Sequence, residues 1–591
     1  MLTFNRSEQM ILKKLVVALG LVACVLPTAQ ARLPNGISSG DTTENSTVLW
    51  ARSSRQGTVR FQVKDASNNI VKDESVLVTD PLVPAKLVVG GLQSGQNYTY
   101  TVTDFDAVAT GRFKTAASDG LGGLVFGVTG DWRGELAPYP AIKNINAQNF
   151  DFFVKLGDSI YADYPSPAVP VDQAKTLTEY RLKHNEVYSP RNSMNTLAKM
   201  QRNVSIFSMI DDHEVINDFA GGALASTDTR FGETSGLINQ TAIYNKGLQA
   251  FTEYNAINDK RYGNVGDALT DGRPDLYRAQ RYGKTAGFYM LDARSFRDKE
   301  LTDVSDITSP TQIGTFIANS FDIGKAATRT MLGKAQISRL KADLLSAQED
   351  GVVWKFVAVP EPIQNLGVFG AADRFEGYAS ERTEILRFID ENNIKNVVFI
   401  AADIHGTLIN DLTYQRREDV LTALTTVGNP LAAPQIKTSA FEISTGSVAF
   451  APSFGDTITS LLGFIPNGNL ILGQMFAAVG VSNVDQFNQL PMAIRNLAME
   501  GLVNGQLTQL GYTPVGLQDN PRINAKVVIG GNTALFSFGW TAFVVNPTNQ
   551  TLKITTFGIT PYTAADLASN PTAVTQRQPE ILSQILVTPE K

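Results

Sequence analysis

Four short apolar runs in this chain each stop at an acid, and that layout constrains the fold more than any other feature. Residues 124–128 run into Thr129-Gly130-Asp131, and residues 152–156 into Gly157-Asp158-Ser159-Ile160-Tyr161. Residues 206–210 deliver Asp211-Asp212-His213-Glu214, and residues 396–400 lead to Ala401-Ala402-Asp403-Ile404-His405. Runs of this length and composition read as buried strands. Open α/β sheets bind their ligands outside the carboxyl ends of the strands. Four such strands would therefore gather carboxylates and imidazoles along one edge. The first two flank residues 139–148, which are expected to be helical. A strand–helix–strand unit is parallel and right-handed, so it would bring Asp131 and Asp158 to the same edge. A lone Gly-Asp marks only a turn. Acids after a strand also cap the next helix, and capping alone would account for Asp211. It does not account for the run Asp-Asp-His-Glu.

Composition narrows the chemistry. At 591 residues the chain exceeds one compact core, so at least two domains are expected. A net charge of −6 leaves no basic excess for non-specific nucleic-acid binding. There is one cysteine, Cys24, and only three histidines, of which His213 and His405 fall in the runs above. A metal site here must rely on carboxylates and other oxygen ligands. That favours Ca²⁺, Fe³⁺ or Mn²⁺ over a histidine-rich zinc site.

The amino terminus has the order of a secretory signal. Lys13-Lys14 precede an apolar stretch to Leu26, and Ala29-Gln30-Ala31 follows, with cleavage expected after Ala31. The apolar stretch is short of the ~20 residues a membrane span needs. Leu21-Val22-Ala23-Cys24 also resembles a lipobox, which would lipidate Cys24. Residues 1–31 are thus read as a signal peptide, directing the chain to the periplasm or outside, with a lipoprotein as the alternative. Residues 32–117 hold short alternating segments broken by Gly, Asn and Ser, which suggest a β-sandwich. Residues 120–591, which carry the four acid-tipped runs, are expected to form a second domain that holds the site. It carries an apolar insertion at about 450–530, within which residues 457–484 have no charge. Pro466-Asn-Gly-Asn469 splits that stretch into two short helices rather than a span. The insertion is either a hydrophobic wall beside the site, favouring substrates with an apolar part, or plain core.

Taken in order, Gly157-Asp158-x-x-Tyr161, Asp211-Asp212-His213-Glu214 and Asp403-x-His405 resemble the PhoD-like alkaline phosphatases, relatives of the purple acid phosphatases among the metallophosphoesterases. Residues 288–297 (Phe-Tyr-Met-Leu-Asp-Ala-Arg-Ser-Phe-Arg), 331–336, 354–357, 377–382 and 539–545 match as well. The resemblance implies an α/β fold. This is a four-layer metallophosphoesterase sandwich behind a fibronectin type III or Ig-like β-sandwich. It implies a phosphate mono- or diester as substrate and a dinuclear centre of Fe³⁺ with Ca²⁺, or of Mn²⁺ or Zn²⁺. By the same resemblance Asp131, Asp158, Tyr161 and His405 hold one metal. Asp158 bridges to a second, held by Asp212 and Asp403, and His213 lies just outside, facing the leaving group. The chain departs from the family in having no Cys in the first motif, Ala402 where Gly is usual, and Asp403 where purple acid phosphatases have His.

Two cations bridged by Asp158 would sit about 3.5–4 Å apart and clamp both oxygens of an in-line displacement, with a metal-bound hydroxide as nucleophile. His213 is then expected to protonate the departing alkoxide, with Glu214 orienting its ring. Arg133 either contacts the outer phosphate oxygens or lies on the surface. Glu361 either completes a metal shell or forms a salt bridge. Asp163 and Tyr164 are read as pocket residues, and Asn217 and Asp218 as outer-shell or helix-terminal. Asp292 and Arg294 are read as a structural pair, and His184, in the charged stretch 179–186, as solvated. The competing functions are a phospholipase-type diesterase using the same centre and a secreted binding protein that has lost catalysis.

Overall fold

The computed structural model describes residues 32–591 apart from 265, 268 and 465. The expected signal segment and Cys24 lie outside the described residues. The front of the chain supplies β1 (Ile37–Gly40), β2 (Ser46–Ala51), β3 (Gly57–Lys64), β4 (Ile70–Val78), β5 (Ala85–Gly90), β6 (Asn97–Asp104) and β7 (Ala107–Lys114). Next come β8 (Leu124–Trp132), β9 (Phe152–Lys155) and β10 (Ser205–Ser208). A second set follows: β11 (Arg278–Tyr282), β12 (Ala286–Met290), β13 (Trp354–Ala358), β14 (Val397–Ala401), β15 (Thr407–Tyr414) and β16 (Ile436–Ser444). The last strands are β17 (Ser447–Ala449), β18 (Asn524–Ile529), β19 (Thr533–Ala534), β20 (Phe538–Val545), β21 (Leu552–Ile559) and β22 (Glu580–Thr588).

Two mixed sheets result. One has 11 strands in the order β18-β22-β21-β20-β8-β9-β10-β1-β2-β5, with β17 beside β8; the other has seven, β11-β12-β13-β14-β16-β15-β19. They pack face to face through one apolar cluster that draws on both, including Phe152, Phe207, Phe356, Ile400, Ile443 and Phe543. Phe126 sits at its centre, stacked on Phe152 at 4.8 Å and Phe543 at 4.7 Å and edge-on to Phe356 at 4.9 Å. Such ring pairs add to the area they bury. Helices Leu177–Tyr188 and Ala242–Tyr254 pack on the outer face of the first sheet. Helices Lys334–Glu349 and Ala379–Glu391 pack on that of the second.

The front strands do not stand apart from this body. β3, β4, β6 and β7 form their own four-stranded sheet, but β1, β2 and β5 extend the large one. The join is β1 against β10, parallel, with Ser39 opposite Ser205. The period-two pattern of β3 buries Val59, Phe61 and Val63 against Leu49 and Val89 of the large sheet.

Two local expectations are corrected. Residues 139–148 do not form an α-helix: short 3₁₀ turns span Pro140–Ile142 and Ile145–Ala147. Pro138 and Pro140 remove donors, and each proline disfavours the helical region at the residue before it. β8 and β9 are nonetheless parallel, as expected. His184 is not solvated but fully buried, stacked on Tyr254 at 5.4 Å. It shares a helix stripe with the buried Tyr180 and Tyr188, four residues away on either side. The apolar insertion does break at Pro466, into helices Phe454–Leu462 and Gly468–Ala478. Among the described residues no helix is long and apolar enough to cross a membrane.

Candidate metal centre

The four acid-tipped strands come from different sheets. β8, β9 and β10 of the large sheet bring Asp131, Asp158 and the Asp211–Glu214 turn, while β14 of the smaller sheet brings Asp403 and His405. Backbone pairing carries on past the strand ends. The Trp132 N–H donates to the Asp158 carbonyl at 2.7 Å, and the Ala402 N–H to the Pro360 carbonyl at 2.9 Å. Gly157 permits a close approach: at its φ of +114°, a β-carbon would lie 2.7 Å from that of Asp211. Asp131, Asp158, Asp403 and His405 all adopt left-handed backbone, with φ of 62°, 48°, 64° and 58°. Each such residue costs about 1–3 kcal/mol, a strain that collects at functional sites.

Ligand atoms of Asp131, Asp158 and His405 lie within 4.8 Å of one another, and so do those of Asp158, Asp212 and His213. Asp158 belongs to both groups. Tyr161 joins the first, its hydroxyl 3.3 Å from His405 Nε2. Asp403 falls instead with Glu361 and Asp373. Asp373 follows no strand and no pattern that would single it out.

The carboxylates want positive charge. Both oxygens of Asp131 are buried and, among the described residues, neither accepts a hydrogen bond. Burial, aggravated by Asp211, pushes its carboxyl well above the usual range; burial with Asp212 does the same to Asp158, and burial with Asp211 to Asp403. Burial also keeps the His405 ring neutral, its pKa lowered to about 3, the form in which imidazole binds metals. Orphaned buried oxygens and a neutral imidazole fit one or more hard cations.

Part of the charge is supplied by the chain itself. Arg294 is fully buried and meets Asp211 at 2.6 Å, Asp373 at 3.0 Å, Asp212 at 3.5 Å and Glu361. Arg297 adds contacts to Glu361 at 3.0 Å and Asp373 at 2.6 Å. Asp211 is therefore an ion-pair partner rather than a helix cap, and Glu361 is held by arginines. Arg294 is not a side-chain partner of Asp292, which only accepts its backbone N–H at 3.0 Å.

Glu214 does not orient His213. Its carboxylate accepts from the Ser159 N–H and hydroxyl, both at 2.6 Å, and from the Asp211 N–H at 2.9 Å. It ties two of the acid loops together. The ring of His213 is held at Nδ1 by Asp163, at 2.7 Å. Adjacent residues in this turn face opposite sides, so sequence neighbourhood misassigned the contact. Burial opposes a proton on His213, but Asp212 and Asp163 outweigh it and raise its pKa to about 10. Asn217 and Asp218 turn their backbones inward, donating N–H groups to Asp163 at 2.8 Å and Asp212 at 2.6 Å.

Aromatic rings close one side. Phe450, which carried no sequence signal, stacks on His405 at 3.7 Å and lies 4.9 Å from Tyr161. The Arg133 guanidinium sits over Tyr164 at 4.7 Å and Phe450 at 5.2 Å, and pairs with Glu135. Arg133 thus belongs to the wall of the centre and not to the open surface.

Known proteins share this architecture. A family model described as PhoD-like phosphatase matches residues 127–463, more than half of the chain, and one for the PhoD-like phosphatase N-terminal domain matches residues 21–117. Alkaline phosphatase D of Bacillus subtilis (strain 168) is 25% identical over 403 residues, 64% of this chain. The chain spans 65% of that relative's length. A solved structure of PhoD superposes with a TM-score of 0.63 at 18% identity, covering 94% of this chain and 90% of its own. At that identity the likeness is one of fold. The chain belongs to the PhoD-like phosphatase family.

Proposed function

We propose that the chain hydrolyses phosphate mono- or diesters at this centre. The observation that carries the reading is the meeting of the buried Asp131 and Asp158 carboxylates with His405, their ligand atoms all within 4.8 Å of one another. Asp131, Asp158, Tyr161 and His405 would hold one cation and Asp158 with Asp212 a second, while Asp403, which groups with Glu361 and Asp373, would border it. The phenol suits ferric iron and the remaining oxygen set suits calcium. Bound there, the cations supply a nucleophile from water and screen the phosphoryl charge. The chain's own residues do the rest. Asp163 fixes the His213 ring, and in its protonated form His213 can give its proton to the departing alkoxide. Stacking on Tyr164 and Phe450 holds Arg133 where its remaining N–H groups can bind phosphoryl oxygens.

Leaving-group dependence tests the acid. His213→Ala should slow hydrolysis of an alkyl ester by about 10²–10⁴-fold, and of a p-nitrophenyl ester far less. Asp163→Asn should show the same bias at smaller size. An equal loss on both esters would remove His213 from the acid role. Absence of turnover by metal-replete protein, on both p-nitrophenyl phosphate and its bis ester, would select the binding-protein reading.

A further inference from the structure

The Arg133 guanidinium is anchored from several directions. Its Nη1 donates to the Ala451 carbonyl at 3.2 Å, and the rings of Tyr164 and Phe450 lie against it. Glu135, two residues on, pairs with Nη2. The Nε–H is buried and, among the described residues, has no acceptor. Phe450 also stacks on His405 at 3.7 Å, so one ring joins the guanidinium to a member of the first ligand group.

Glu135 stands in the short 3₁₀ turn Gly134–Leu136 and is 8% exposed. Among the described residues its carboxylate has no cation within ion-pair distance other than Arg133. The neighbouring charges are engaged elsewhere. Arg191 pairs with Glu186 at 3.3 Å and donates to the Glu135 backbone carbonyl, not to its carboxylate. Lys183 donates to the Tyr164 carbonyl and, at 3.0 Å, to the Ser166 hydroxyl. The Ala451 carbonyl and two rings already orient Arg133 without an acid. What Glu135 adds is charge. With it, this wall of the centre offers hydrogen-bond donors and no net positive charge.

A phosphodiester carries one negative charge, and a monoester above its second pKa of about 6 carries two. The paired guanidinium can donate to either. The second charge of the monoester also meets the Glu135 carboxylate, and salt screens buried groups poorly. We propose that Glu135 is a specificity-determining residue that biases this centre towards singly charged phosphodiesters. It acts through Arg133 and not by touching the substrate. This rests on the hydrolase reading and on Arg133 as the phosphoryl ligand.

Two esters with one leaving group separate charge from chemistry. They are p-nitrophenyl phosphate and methyl p-nitrophenyl phosphate, turned over by the metal-loaded full chain at about pH 8, where the monoester is doubly charged. Glu135→Gln keeps the shape and removes the charge. It should move the ratio of kcat/KM values towards the monoester on the order of tenfold, mostly through KM, the scale of one unit charge near a protein surface. Glu135→Ala should move it the same way, and Glu135→Asp, which keeps the charge, should stay near the wild-type ratio. Calorimetry should show inorganic phosphate binding more tightly to the Gln variant by a similar factor. Thermal melts establish which variants fold. A ratio unchanged in either folded neutral variant, or moved as far by Asp as by Gln, would overturn the proposal. So would failure of both neutral variants to fold, which would make Glu135 a structural residue. Wild-type kcat/KM on both esters in Arg133→Ala would remove Arg133 from the phosphate and the proposal with it. No turnover of either ester by wild type, beside tighter phosphate binding by the Gln variant, would overturn the hydrolase reading and leave the charge bias standing.

Discussion

Asp158→Ala should lower turnover by about a thousandfold or more, the scale of losing several kcal/mol of charge stabilisation at the reacting centre. The same variant should resist urea at least as well as metal-free wild type. The two effects have one cause. Asp158 is buried, belongs to both ligand groups, and faces Asp212, Asp211 and Glu214, whose charges raise its pKa after burial has done so. Without a cation it is a repulsive, strained residue at φ 48°. Its removal should relieve the apo protein while destroying the site, the trade between stability and activity expected of a functional residue. A variant that is inactive because it fails to fold would show the opposite stability, and a steady-state assay beside a urea titration separates the two.

Arg294→Met should be the most destabilising single change in the molecule, by about 3–5 kcal/mol, because it leaves buried carboxylates without their partner. Four acids, Asp211, Asp212, Glu361 and Asp373, converge on this one guanidinium. Arg294→Lys should recover only part of the loss, since an ammonium cannot reproduce the fork that meets Asp373 with two N–H groups at 3.0 Å each. Chemical denaturation of the three proteins checks the order wild type, Lys, Met. A Met variant within 1 kcal/mol of wild type, on the order of a surface change, would mean the cations alone hold this cluster.

The acids that follow strands were legible in the sequence as a group; the pairings made by the loops behind them were not. Asp131, Asp158, Asp212, Asp403 and His405 each end an apolar run, and strand ends are where sheets place ligands. Glu361, just past β13, obeys the same rule and was open between a metal shell and a salt bridge; Asp373 answers to no such rule, and nothing in the sequence pairs the two arginines with it. Arg294 and Arg297 stand in a loop after β12, and only the folded chain shows both reaching Asp373. Glu214 shows the converse failure. It lies next to His213 in sequence, but the turn sends it to Ser159 while Asp163, 50 residues away, takes the ring. Mixed sheets covered by helices followed from the family resemblance, and period-two patterning marked the front strands. Patterning could not reveal that β1, β2 and β5 would finish the large sheet, because edge pairing depends on which strands meet in space. Gly130 illustrates the same limit: a β-carbon there would lie 2.7 Å from that of Ala402, 272 residues on, so the two strand ends fit because one of them is glycine.

The central claim is that buried acids and one neutral imidazole form a metal centre that hydrolyses phosphate esters. Its most direct test is a chelation series on the purified protein, with elemental analysis and p-nitrophenyl phosphate turnover measured on each sample. Turnover should fall in step with the metal removed and return when the metal is restored. Undiminished turnover by protein stripped of all metal would contradict it.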